Sequence, residues 1–307
     1  MKSLSCLSLG LLCWVGLIGL PLARADSPIY VGVLEDPQTQ EPPISSQRHV
    51  RIAFRKQGST WLAMDSDFGS PEALAEASKP YPDMVEWTVV FDGKSVGHIS
   101  SRNPGPLHWY ADIGTQIITT KPADVPAISV GASDFVYTLG SAKTRPLLLV
   151  SEPNFRDPEH WKPTMLSVAE RRLAVQALRK QIPEMPQCEQ PEQGPEKMLP
   201  YSDDDIITIK AYRSANDEVI FGERLNGAKS ICGWFNDEHF FDYWFVLNHT
   251  QGLRLLGHQM MPMQAADLDN GGTSEWIFHS LRGEDQEGYE LFYDDFAKQE
   301  YFHWTEH

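Results

Sequence analysis

The chain has 307 residues, and its 26 basic and 42 acidic side chains give a formal net charge of −16 at pH 7. A charge this negative repels nucleic-acid phosphates and anionic lipid surfaces, so we expect no nucleic-acid partner. Aromatic residues make up 11% of the chain and include 9 tryptophans, which argues against disorder and for a large apolar core.

Residues 1–25 have the pattern of a cleavable secretory signal peptide. Lys2 supplies a positive charge, an uncharged apolar run follows, and Ala23-Arg24-Ala25 has the small-x-small pattern of a cleavage site. The alternatives are an uncleaved membrane anchor and a lipoprotein that uses Cys13. The apolar run is shorter than the roughly 20 residues that a bilayer-spanning helix needs. We therefore expect an exported protein, periplasmic or extracellular, with no membrane insertion after cleavage.

Cleavage would change both the charge and the cysteine content. It leaves 282 of the 307 residues, and the loss of Lys2 and Arg24 takes the charge from −16 to −18. Cys188 and Cys232 remain in the mature chain. Two thiols in an oxidising compartment can form a disulfide, and the alternative is two separate buried thiols.

The predicted elements up to residue 151 are short strands. A Pro-rich extended arm covers 26–48, with one short strand at 29–33. Alternating apolar residues then predict a hairpin over 49–55 and 60–64. A second hairpin joins 85–91 to 95–101, because Asp92-Gly93 is a strong turn pair. Further strands are predicted over 115–119, 127–130, 135–138 and 147–151.

The hydrophobic period becomes helical over 167–181. Ser167 followed by Glu170 is a capping-box pattern, and Pro183 ends the helix. The spacing predicts an apolar face of Val168, Leu173, Val175 and Leu178, and an outer face covered by Arg171, Arg172, Arg179 and Lys180. This helix completes a β-rich region over 49–182, and a Pro-rich linker or loop follows over 183–200.

A second β-rich region is predicted over 201–307. Its strands are expected at 206–213, 218–225, 240–247, 253–258, 275–281, 289–293 and 299–304. Short strands separated by polar turns are typical of an all-β sandwich, barrel or propeller. We predict a mainly-β fold with one helix, in which a propeller-like arrangement is favoured over a two-sheet architecture.

The acidic loop after Ala266 is the strongest candidate site. Asp267, Asp269 and Glu275 occupy its first, third and ninth positions, and central glycines permit a sharp turn. Carboxylates on one short loop can supply the oxygen ligands that Ca²⁺ prefers. The alternative is an acidic turn whose carboxylates accept hydrogen bonds from their own backbone without a metal.

The loop resembles the Asp-x-Asp-x-Asp-Gly-x-x-Glu loop of the FG-GAP and related VCBS-like propeller-blade families. The resemblance covers one blade, about residues 253–304. It implies a strand–loop–strand unit that holds Ca²⁺ through Asp267, Asp269 and Glu275. The sequence departs from the family at the fifth position, where Gly271 has no side chain to act as a ligand. An EF-hand is not expected, because neither flank has a helical pattern.

A second polar cluster, Asp237, Glu238 and His239, lies beside an aromatic strand. These residues are candidates for acid–base catalysis in an exported hydrolase, and the alternative is a polar loop leading into the core. The chain contains no His-Glu-x-x-His and no Cys-x-x-Cys motif. We expect a binding or interaction protein with a Ca²⁺-stabilised loop rather than an enzyme. The other alternative is a purely structural envelope protein.

Overall fold

The computed structural model describes most of the chain between residues 28 and 305. The described ranges are 28–36, 48–64, 72, 76, 78–104, 114–129, 131, 144–153, 155–156, 158–187, 197–226, 242–249, 251–281 and 286–305. Strands predominate in these ranges, which confirms the predicted mainly-β class. Among the described residues, no helix is both long enough and apolar enough to cross a bilayer. The predicted signal peptide, residues 1–25, lies outside these ranges.

Six antiparallel strands close into a barrel. They are β1 (Ile29–Glu35), β2 (His49–Gln57), β4 (Met84–Phe91), β5 (Lys94–Arg102), β6 (Thr115–Ile118) and β7 (Leu147–Val150). Their hydrogen-bonded order is β1-β7-β4-β5-β6-β2, and β2 pairs again with β1 to close the ring. A further strand, β3 (Thr60–Ala63), pairs with the C-terminal half of β2.

Local sequence explains several barrel strands. Asp92 and Gly93 have φ angles of 46° and 69°, and a two-residue turn of this left-handed type joins β4 to β5 tightly. Strand β7 is the apolar run Leu147–Val150, and each of its residues is buried. Such continuous apolar runs are typical of strands that are covered on both faces.

The C-terminal residues form a four-stranded antiparallel meander, the middle sheet. Its strands, in order, are β15 (Met260–Ala266), β16 (Glu275–Leu281), β17 (Gln286–Tyr293) and β18 (Lys298–Thr305). Ile277 belongs to the apolar cluster of the barrel, whereas its neighbours Trp276 and Phe278 belong to a cluster shared with another sheet. Because side chains alternate between the faces of a strand, the middle sheet is buried on both sides.

A five-stranded sheet, the outer sheet, covers the second face of the middle sheet. Its hydrogen-bonded order is β14 (Gly252–His258), β13 (Tyr243–Asn248), β12 (Val219–Leu225), β11 (Ile206–Arg213) and β8 (Lys162–Thr164). Helix α1 (Val168–Gln181) packs on its other face. The layers are therefore barrel, middle sheet, outer sheet and helix.

Helix α1 begins as predicted, and it buries Val175 and Leu178 of the predicted apolar face but not the other two residues. Ser167 Oγ accepts a hydrogen bond from Glu170 N at 3.3 Å, and Glu170 Oε2 accepts one from Ser167 N at 2.7 Å, which confirms the capping box. Val168 and Leu173 of the predicted apolar face are 82% and 38% exposed. The buried residues are Ala174, Val175, Ala177 and Leu178. Apolar contact of α1 with the outer sheet therefore begins after the first turn, at Ala174.

Arg171 lies against the outer sheet rather than on the predicted solvent face. Its Nη1 donates hydrogen bonds to Glu223 Oε2 at 2.6 Å and to Thr208 Oγ1 at 2.8 Å. The Glu223 side chain on β12 is fully buried, and a buried carboxylate needs a hydrogen-bonded counter-charge. Arg171 therefore faces the sheet because it pairs with Glu223, although the hydrophobic period of the helix predicts that Arg171 faces solvent.

Two predicted segments have a different local structure. In place of the strand expected over 127–130, the described residues form an isolated bridge between Ser129 and Thr144. Within 183–200, β9 (Met185–Gln187) pairs with β10 (Lys197–Leu199). The strand predicted over 135–138 lies outside the described residues.

Strand β15 is absent from the sequence prediction for a physical reason. It contains Pro262, and proline cannot donate a hydrogen bond to a neighbouring strand. A bulge between Pro262 and Gln264 accommodates this residue while pairing with β16 continues on both sides. Tertiary packing between two sheets therefore produces a strand that local propensity does not favour.

Candidate functional site

The acidic loop connects β15 to β16 and brings its three predicted carboxylates together. The ligand atoms of Asp267, Asp269 and Glu275 lie within 4.8 Å of one another. Asp267 and Glu275 are buried, and Asp269 is half-buried. Ala266 pairs with Glu275 across the two strands, so the ladder itself places the first and ninth loop positions side by side.

Backbone amides inside the loop bind its carboxylates. Gly271 N donates to Asp267 Oδ1 at 2.8 Å and to Asp269 Oδ1 at 2.6 Å, and Gly272 N donates to Asp267 Oδ2 at 2.9 Å. A Cβ atom at Gly271 would lie only 2.5 Å from Asp269 Oδ1. A side chain at the fifth position would therefore require the Asp269 carboxylate to move.

Two side chains of the barrel region complete the hydrogen bonding of the loop. Lys56 Nζ, on β2, forms an ion pair with Asp269 Oδ2. Trp61 Nε1, on β3, donates to Glu275 Oε1 at 3.2 Å, and Leu268 N donates to Glu275 Oε2 at 2.7 Å. All six oxygens of the three carboxylates thus accept a hydrogen bond. The loop fastens the middle sheet to the β2–β3 hairpin, and we call this arrangement the clasp: Lys56, Trp61, Asp267, Asp269 and Glu275.

The clasp concentrates negative charge in a poorly solvated place. Burial raises the pKa of Glu275 to about 7, and the charge of Asp267 acts in the same direction, while hydrogen bonds from Leu268 N and Trp61 oppose the rise. Burial lowers the pKa of Lys56, against the opposing charges of Glu275 and Asp267. Three carboxyl groups therefore share one ammonium ion.

The donor set of the clasp fits a hard cation in type and in spacing. Ca²⁺ is bound by carboxylate and carbonyl oxygens, and an oxygen that accepts one hydrogen bond keeps a second lone pair. Lys56 already neutralises part of the charge at Asp269. A metal ion at this position would therefore compete with the ammonium group of Lys56.

A further buried carboxylate, Glu159, lies next to the clasp. Glu159 Oε2 accepts hydrogen bonds from Ser274 N at 2.9 Å and from Trp161 Nε1 at 3.0 Å. Arg156 and Asp267 form an isolated backbone bridge nearby. The chain segment before β8 therefore supports both ends of the acidic loop.

Cys188, Cys232 and the cluster Asp237, Glu238 and His239 lie outside the described residues. Gly93-Lys94-Ser95-Val96-Gly97 has Gly-x-Ser-x-Gly spacing. Ser95 lies exposed on β5 just after a hairpin turn, whereas a nucleophile elbow places the serine between a strand and a helix. This motif therefore has no catalytic context.

A groove of about 620 Å³ opens at the edge of the outer sheet. Strand β8 pairs with β11 only at Ala211–Arg213, so the pairing ends before the preceding half of β11. Pro163, Met165, Ile209 and Lys210 are among the lining residues. The Met165 side chain is 90% exposed, so the groove is open to solvent.

Comparisons of the chain with protein-family models, with curated proteins and with solved structures find no match.

Proposed function

We propose that the chain is an exported binding or interaction protein, periplasmic or extracellular, whose 267–275 loop closes the middle sheet onto the barrel. The observation that carries this proposal is the clasp itself. Lys56 and Trp61 come from the barrel region, and they bind Asp269 and Glu275 at the third and ninth positions of the loop.

A binding role is favoured over a hydrolytic one. The carboxylates of the clasp are engaged by backbone amides, an indole and an ammonium group, whereas a general acid or base must reach a substrate proton. The open groove beside β11 offers a surface to a partner. An exported hydrolase that uses Asp237, Glu238 and His239, and a structural envelope protein, are the alternatives to this proposal.

We also propose that Ca²⁺ binds the clasp through Asp267, Asp269 and Glu275, in competition with Lys56. Support for this proposal comes from the spacing of the three carboxyl groups and from the oxygen ligands that they offer. The likeness to an FG-GAP blade is proposed to extend to one four-stranded unit, β15–β18, rather than to a whole propeller. In its favour, the acidic loop joins two successive strands of an antiparallel meander.

Thermal unfolding with CaCl₂ or with EGTA tests the calcium proposal. A ligand that binds only the folded state stabilises it by about 2.7 kcal/mol at 100 times its Kd. We expect calcium to raise the Tm of the wild-type protein, and to raise it further in Lys56→Met, where the competing ammonium is gone. Asp269→Ala should lose the response, and Lys180→Met, on the exposed face of α1, should keep the wild-type response. Equal Tm values with calcium and EGTA in both wild type and Lys56→Met would refute calcium binding.

Export is tested by expressing the full chain in a bacterial host and analysing the protein recovered from the periplasm and medium. We expect intact-mass spectrometry to show a product that begins at Asp26. Full-length protein confined to the cytoplasm would contradict export, and full-length protein in the membrane fraction would favour the anchor.

A further inference from the structure

Within the described part of the chain, no strand pairs with the edge of β11 beside Ile207–Lys210. Strand β8 is three residues long and pairs with β11 at Ala211, Tyr212 and Arg213. Beyond Thr164 the chain leaves the sheet and enters α1. The residues Ile207–Lys210 of β11 are half-buried, whereas the flanking Ile206 and Ala211 are buried. Unpaired strand edges present backbone amides and carbonyls that can bind another extended chain.

Apolar side chains border this open edge. Met165 is 90% exposed and Val168 is 82% exposed, and Met165 lines the groove together with Pro163 and Ile209. Arg171 closes one end of the groove, since its Nη2 donates to the carbonyl of Ile206 at 2.5 Å. A short extended segment in line with β8 would therefore meet strand backbone on one side and apolar side chains beside it.

Basic side chains, Arg171 and Lys210, line the groove, whereas the chain as a whole is acidic. Acidic groups near the groove are already engaged, because Glu223 binds Arg171 and Glu170 binds Arg213. Among the described carboxylates, none forms an ion pair with Lys162 or Lys210. Lys210, which lines the groove, thus has no carboxylate partner among the described residues of a chain whose net charge is −16.

We propose that this groove binds an extended peptide segment of a partner protein, with alternating apolar and acidic side chains, as an added strand beside Ile207–Lys210. Main-chain hydrogen bonds to β11 supply affinity, the apolar side chains pack on Met165, and the acidic side chains pair with Lys210. The inference rests on the proposed binding function and names the class of partner.

Fluorescence polarisation with labelled hexapeptides tests the proposal on the whole mature protein. The probe has three Glu-Val repeats. Its controls have three Lys-Val repeats, or three Glu-Val repeats with N-methylated valines that cannot donate backbone hydrogen bonds. We expect the Glu-Val probe to bind at least about tenfold more tightly than either control. Met165→Glu and Lys210→Glu should each weaken binding by about tenfold, and Lys180→Glu, outside the groove, should not.

Hydrogen exchange locates the bound probe, and we expect slower amide exchange within 207–210. The proposal is overturned if the Glu-Val probe fails to bind, if it binds every variant equally, or if protection falls elsewhere. It is also overturned if the wild type sediments as a dimer that Met165→Glu converts to a monomer, since a second copy then occupies the edge. A calcium-dependent Tm that is retained while peptide binding fails would leave the proposed clasp standing and refute only the groove.

Discussion

Replacing Glu275 by glutamine should remove a pH dependence of stability that the clasp creates. Burial is the main cause that raises the pKa of this carboxyl group to about 7, from an ordinary value of 4.5. The folded protein therefore binds this proton more tightly than the unfolded chain does, and stability falls as the pH rises through this interval. Each pKa unit corresponds to about 1.4 kcal/mol, so the total loss is about 3 kcal/mol.

The assay is urea unfolding in EGTA, between pH 4.5 and pH 8, of the wild type and of Glu275→Gln. Glutamine cannot ionise, so the free energy of unfolding of the wild type should fall by about 3 kcal/mol relative to that of the variant across this range. The amide loses one of the two hydrogen bonds that Glu275 accepts, which lowers the stability of the variant at every pH without creating a slope. Glu184→Gln, on the surface, is the matched control. A constant difference between wild type and Glu275→Gln would refute the reasoning.

Two further predictions concern stability away from the clasp. Ser167→Ala removes the capping hydrogen bond of α1 and should lower the free energy of unfolding by about 1 kcal/mol in urea titrations; an unchanged value would show that the cap contributes nothing. Arg51→Met should lower it by about 3–5 kcal/mol, because buried Glu35 then loses the guanidinium whose Nε lies 2.9 Å from its Oε1. Burial alone would raise the pKa of Glu35, but Arg51 and His49 lower it by more, so the pKa lies well below its usual range. The stability that the ionised Glu35 contributes should therefore be lost in acid. A loss below about 1 kcal/mol would indicate that the Glu35 pair is solvated.

Local signals in the sequence predicted local structure well. Asp92-Gly93 identified the β4–β5 hairpin, and Ser167 with Glu170 identified the start of α1, because both signals act within four residues. The three carboxylates of the acidic loop were also predicted to lie together, since a nine-residue turn between paired strands leaves them little choice.

The same local patterns could not predict contacts between residues that are far apart in the sequence. Strand β2 alternates between apolar and polar residues, a pattern that predicts one solvent-exposed face. Arg51 on the polar face is nevertheless buried, because the middle sheet covers the barrel. Its guanidinium lies 4.2 Å from the ring of Trp304. Lys56 meets Asp269 across 213 residues of sequence, and no local pattern marks a lysine as the partner of a distant loop. The burial of two sheet faces and the closure of the clasp are tertiary effects.

A double-mutant cycle on Lys56→Met and Asp269→Asn, measured by urea unfolding in EGTA, tests most directly whether the loop fastens the middle sheet to the barrel. The side chains of this pair are 19% and 7% exposed, so their coupling should exceed that of a surface ion pair. We predict a coupling free energy of about 1–3 kcal/mol. Additive effects, with a coupling below about 0.3 kcal/mol, would contradict the clasp.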